Sequence, residues 1–255
     1  MPKGLRLNLF RHAQVERLIE EADHLYACED RPAQALQKID RVLRLDPRNV
    51  KALVVKGRIY YWLSRVKEAL RCYEEAISID PNCGEGFLER ARVLYAVRQE
   101  HRRALRDVRK AVARAGRDRW IKGEALRLQG HILDALDLEH EAITSYRAAL
   151  SINPKDAGTH EALGNSLLVA GEPVKALREF NKALQILNAQ KNPDQLDLGF
   201  ALVSKAEALN ALGKHLEALR TVKTGLRRIK EKTPRETLQA VHHRTLQLAR
   251  KIVKS

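Results

Sequence analysis

Aromatic residues make up only 5% of this chain of 255 residues. Its core must therefore be built from Leu, Ile, Val and Ala, and Ala and Leu are strong helix formers. Cysteine occurs three times. Cys28, Cys72 and Cys83 form no CxxC pair and no disulfide framework, which fits a reducing, cytoplasmic setting. No apolar run approaches the ~20 residues needed to span a membrane. The first ten residues alternate Leu5, Leu7 and Leu9 with Arg6 and Asn8, too interrupted a pattern for a secretory leader. The phosphate-loop, dinucleotide-fingerprint, zincin and nucleophile-elbow motifs are all missing. His242 and His243 are adjacent, so on one helix they point about 100° apart and cannot share a metal as an i, i+4 pair would. Carboxylates such as Glu89 and Asp134 are scattered. Neither an enzyme, nor a cofactor, nor a metal site is expected.

Charge, by contrast, is abundant and one-sided. The formal net charge is +15. A balance this basic favours an acidic partner, whether nucleic acid, an acidic protein or an anionic surface.

A period is also present. Leu43-Arg-Leu-Asp46-Pro47 and Ile77-Ser-Ile-Asp80-Pro81 place their prolines 34 residues apart, and Leu150-Ser-Ile-Asn153-Pro154 is a third copy. A fixed period in this range marks a stacked repeat. Each unit carries two apolar stripes at helical spacing, separated by a short polar turn. Gly57, Gly130 and Gly164 recur at one phase inside the first stripe, where glycine costs about 1 kcal/mol against alanine. Close approach of two helix backbones is the expected reason. Ala35, Ala69, Ala104, Ala142, Ala176 and Ala218 recur in the second stripe, at intervals of 34, 35, 38, 34 and 42. The extra residues fall near Gln99–His101, Gly116–Trp120 and Asn188–Leu198. Pro32 and Pro193 read as the first residues of helices. The helices either side of Asn192 are expected to gain about one turn each.

These positions resemble the tetratricopeptide repeat. Leu53-x-x-Lys56-Gly57-x-x-Tyr60, Ala69-x-x-x-Tyr73 and Pro81 follow its pattern, as do Leu126-x-x-Gln129-Gly130-x-x-Leu133, Ala142-x-x-x-Tyr146 and Pro154. Units with Ile19, Ala35 and Pro47 and with His160, Gly164 and Phe180 follow it too, the latter without the proline, and two weaker units keep the same outline. The resemblance implies an all-α, right-handed α-solenoid of about six helix pairs, over residues 16–49, 50–83, 84–122, 123–156, 157–198 and 199–232. A capping helix over 233–255 would complete a single array spanning the chain.

In such proteins the first helix of each pair lines an inner, concave surface that binds a peptide or partner protein. By that resemblance the candidate groove residues are Lys51, Arg58, Tyr61, Trp62, Arg92, Tyr95, Arg127 and His131. Arginines suit carboxylate or phosphate, so the expected occupant is a peptide or protein of acidic character. Tyr61 and Trp62 lie close enough to the helix end to serve equally as covers for the turn. The carboxylate clamp of chaperone-tail adaptors is not expected. Glu20 and His24 stand where its Lys and Asn would be needed, and Val55 replaces the next Asn.

A second charged feature runs from Arg98 to Lys122, with ten cations against three acids. Arg98, Arg102, Arg103, Arg106, Arg109 and Lys110 are the candidate polyanion contacts. The alternative function is a basic adaptor on RNA or a ribonucleoprotein. Further cations, from Lys223 to Arg235, lie near the C-terminus.

Overall fold

The computed structural model describes residues 3–230, with side chains described from His12 to Arg228. Among these residues it contains twelve α-helices and no strand. They run as pairs: α1 (Lys3–Ala27) with α2 (Pro32–Leu45), α3 (Val50–Trp62) with α4 (Val66–Ile79), and α5 (Gly84–Ala96) with α6 (His101–Arg114). The series continues with α7 (Arg119–Asp134) and α8 (Glu139–Ile152), α9 (Ala157–Val169) and α10 (Pro173–Asn188), and α11 (Gln195–Ala211) and α12 (His215–Lys230). The expected cap over 233–255 and the pair His242–His243 lie outside the described residues.

Two kinds of turn punctuate the series. Within each pair, one residue two positions before the second helix adopts a left-handed backbone: Asp30, Ser64, Gln99, Asp137, Gly171 and Gly213, at φ between 52° and 75°. Between α2 and α3, α4 and α5, and α8 and α9, the proline-bearing motif ends one helix and starts the next. Pro47 cannot extend α2. The Asp46 carboxylate accepts from the Arg48 N–H, and the Asn49 side chain then caps α3 by accepting from the Ala52 N–H at 2.9 Å. Asp156 caps α9 in the same way. Cys83 stands at the equivalent place before α5, where its Sγ accepts from the Gly86 N–H at 3.2 Å. Cys28, Cys72 and Cys83 are free thiols outside any disulfide, and burial pushes the Cys72 thiol up to about 11.

The extra residues of the longer units enter helices. α7 has 16 residues and α11 has 17, against 13 in α3, α5 and α9. α11 thus gains about one turn and α10, at 16, about half a turn over α8. Pro32 does open α2. Pro193 does not open α11: Asp194 is the cap, its Oδ1 accepting from the Leu196 N–H at 2.7 Å, so the proline lies one place outside.

The chain divides into two compact units, at Ala125 and Leu126 within α7. In the first, Ile19, Ala22, Ile39, Val42, Val55 and Ile59 fill the space among α1, α2 and α3. Leu53, Val54, Ala69, Tyr73, Ala76 and Val93 do so among α3, α4 and α5. In the second, Val203, Ala206, Leu209, Ala218 and Val222 join α11 to α12.

The recurrent glycines accommodate a ring, and the expectation of backbone against backbone is corrected. A Cβ on Gly57 would lie 2.4 Å from the Tyr73 ring. On Gly130 it would meet Tyr146 at 2.4 Å, and on Gly164 Phe180 at 2.5 Å. All three rings are fully buried. Where the glycine is replaced, by Asp23, Ala91 or Ala206, the facing residue shrinks to Ile39, Val108 or Val222. Backbone approach occurs elsewhere: a Cβ on Gly225 would come within 3.0 Å of the Gly199 carbonyl.

Candidate partner-binding face

In the first unit, α1, α3 and α5 lie side by side, since α3 touches both. Their second-helix partners cover one side. The opposite side carries charge, arranged as pairs between neighbouring first helices. Lys51 Nζ is 2.5 Å from Glu16 Oε2. Arg58 lies between Asp23 of α1, at 3.1 Å, and Glu85 of α5, at 3.4 Å. Arg92 approaches Glu89 at 3.4 Å and Glu124 at 3.6 Å. Three of the sequence-derived candidates, Lys51, Arg58 and Arg92, thus belong to one charged ladder, each facing carboxylates of the same chain.

Arg58 is its hub. Its side chain is 21% exposed, and its Nε has no hydrogen-bond partner among the described residues. Burial pushes the Glu85 carboxyl up, while Arg58 opposes that rise. Burial also pushes the nearby Tyr26 phenol up to about 12. The Tyr73 hydroxyl is fully buried, has no partner among the described residues, and is pushed up by the same desolvation.

The aromatic candidates sit at the helix ends. Tyr61 is half-buried against the core of α3, α4 and α5. Trp62, the last residue of α3, is 48% exposed. The Tyr95 ring lies 5.5 Å from that of His101, at the turn into α6.

Arg127 and His131 belong to the second unit, whose first helices are joined by hydrogen bonds. Tyr146 donates its hydroxyl proton to Asp134 Oδ2 at 2.7 Å and lies 3.0 Å from His131 Nδ1. Ser166 of α9 donates to the same carboxylate at 2.8 Å. Ser204 of α11 donates to Glu161 at 3.1 Å. Arg127 approaches Asp156 only to 3.9 Å. Sequence reading missed Ser166 and the Tyr146 hydroxyl as members of this network. The family pattern treats Tyr146 as a filler, and nothing local marks its hydroxyl as bonded.

Sequence reading also missed the carboxylate half of the first ladder. Its signal was present: Glu16 with Lys51 and Asp23 with Arg58 are each 35 residues apart, one residue more than the repeat period of 34.

Among the described residues no group of three or more His, Cys, Asp or Glu is placed to hold a metal ion, and no helix is long and apolar enough to cross a membrane.

The geometry of paired helices, left-handed turns and glycine–ring stacking defines the repeat class, and comparison with known proteins agrees. Tetratricopeptide repeat models match residues 50–83 and 124–156. The chain is a tetratricopeptide-repeat protein, with the all-α repeat-solenoid fold of that class. It is similar to the DnaJ homolog subfamily C member 7 homolog of Schizosaccharomyces pombe, 29% identical over 72% of this chain and 32% of the relative. It is also similar to the human protein O-mannosyl-transferase TMTC1, 25% identical over 66% of this chain and 19% of the relative. The chain spans about a third or less of these curated relatives. Among solved structures, the type IV pilus biogenesis factor PilW aligns with a TM-score of 0.72 at 20% identity, over 89% of this chain and 97% of its own. YrrB, described as a tetratricopeptide protein with an unusual peptide-binding site, aligns at 0.62 with 14% identity, over 82% of this chain and 96% of its own. The fold supports a protein-interaction scaffold.

Proposed function

We propose that the chain is a non-enzymatic scaffold that seats an acidic peptide or partner segment on the face formed by α1, α3 and α5. The observation that carries this is the looseness of the arginine contacts there. Arg58 and Arg92 meet their carboxylates at 3.1 to 3.6 Å. Charge-assisted bonds in good geometry are about 2.7–2.9 Å. Arg90 shows the contrast, holding Asp107 through two bonds of 2.7 and 2.9 Å. That pair is structural. The inner pairs keep two arginine forks ordered yet exchangeable, so an incoming carboxylate replaces Asp23, Glu85 or Glu124 at small cost. Trp62 and Tyr95, at the edge, supply the flat apolar area that binding hot spots favour.

Charge reversal tests this reading. The double variant Arg58→Glu, Arg92→Glu should lose partner capture while its circular dichroism stays helical, and Arg58→Lys should retain part of it. An unchanged set of captured partners in the double variant would remove the assignment.

A further inference from the structure

We propose that the solvent face of α6 is a second, separate docking surface, one that holds the phosphate backbone of a nucleic acid. The helix has a divided surface. Ala104, Leu105, Val108 and Ala111 are buried, so its apolar stripe is already committed to the core. Its single acid, Asp107, is 6% exposed and taken up by the two-bond contact with Arg90. What remains outward is Arg102, Arg103, Arg106, Arg109 and Lys110, all exposed.

The three acids of the wider basic run are each occupied in this way. Glu100 contacts Arg98 and Arg103, Asp107 is inward, and Asp118 caps α7 by accepting from the Ile121 N–H.

Two alternative occupants lack what they need. A protein partner anchors through a buried aromatic or aliphatic cluster, and an anionic bilayer takes an apolar helix face into its interface. The exposed part of α6 offers neither, since Ala113 is the only apolar residue fully on that side. Phosphate contacts need only clustered cations. Arg102, Arg106 and Arg109 follow one another at about 4.5–6 Å of helix rise, which lets long side chains reach successive phosphates of one strand. No exposed ring interleaves them, so binding is independent of sequence.

The test is fluorescence anisotropy of the full chain with a labelled 20-nucleotide oligouridylate and, separately, a duplex DNA of equal length. Binding is expected at about 50 mM salt, with a log–log salt slope of roughly −2 to −4 for the single strand. The variant Arg102→Glu, Arg106→Glu, Arg109→Glu should weaken it by at least about tenfold and flatten the slope by about two. The corresponding triple Gln variant should do so to a lesser degree if the Glu form fails to fold. Absence of binding at 50 mM salt overturns the proposal. So does a triple variant that binds like the parent, or equal, α6-dependent binding to a polyglutamate peptide or to phosphatidylserine vesicles.

Discussion

The two units stack the same ring on the same glycine, then end the ring differently. In the second unit Tyr146 covers Gly130 and passes its hydroxyl proton to Asp134. In the first, Tyr73 covers Gly57 and its hydroxyl finds no partner among the described residues. The position four after the glycine is Asp134 in one and Tyr61 in the other. Around this difference the first helices hold together by different means, ion pairs in the first unit and hydrogen bonds to Asp134 and Glu161 in the second. A hydrogen-bonded network satisfied within the chain is a stability device. A charged ladder with loose arginine contacts has binding capacity left over, which is why we propose the partner face on the first unit.

The largest effect tests what the units share. Gly57→Ala and Gly130→Ala each force a methyl into a buried ring and should destabilise by about 1–3 kcal/mol. Chemical denaturation would read this, and Ala91, which faces Val108, shows what the site tolerates once the ring is gone. Loss of similar size in both units confirms the shared stacking. Loss in one alone breaks the comparison.

Next come the ring ends. Tyr146→Phe should cost about 1–2 kcal/mol, because Asp134 loses a donor, while Tyr73→Phe should be neutral or slightly stabilising, since it removes an unpaired hydroxyl. Equal costs in the two melts would mean that the hydroxyls do not differ.

The smallest effect concerns charge. Arg58→Met should cost about 1 kcal/mol near neutral pH, because the pairs are partly screened by solvent. The cost should depend on pH in a definite direction. Burial holds the Glu85 carboxyl above its ordinary range, and Arg58 opposes this. Without Arg58 it rises further, so the folded state favours the protonated acid more strongly. That penalty is absent below the ordinary carboxylate range and grows as pH rises through it. The melting-temperature gap between variant and parent should therefore be narrower near pH 4 than near pH 7. A gap that widens on acidification would contradict the placement of Glu85.

Most of the fold was readable in the sequence because its determinants are local. Proline-bearing turns and apolar stripes each act within one helix or turn. The phase of Gly57 and Ala69 located the helix pairs for the same reason. What escaped depends on contacts between elements. The ring facing each glycine lies on the partner helix, 16 residues on. The α1 helix begins at Lys3, well before the repeat pattern starts at Glu16. Pro193 could stand at N1 or just outside the cap, and only the Asp194 side chain decides. At the candidate face the structure brings Lys51, Arg58 and Arg92 into one charged ladder; their carboxylate partners were not read from the sequence, because single-helix reasoning does not pair residues about one repeat apart.

We propose that the α1, α3 and α5 face of the first unit receives the partner. Site-specific photo-crosslinking addresses it most directly. Benzoylphenylalanine placed at Lys51 or Tyr95 should yield partner adducts, and the same residue at Val174 or Leu216, both exposed positions of the second unit, should not. Adducts from Val174 or Leu216 with none from Lys51 or Tyr95 would contradict the account.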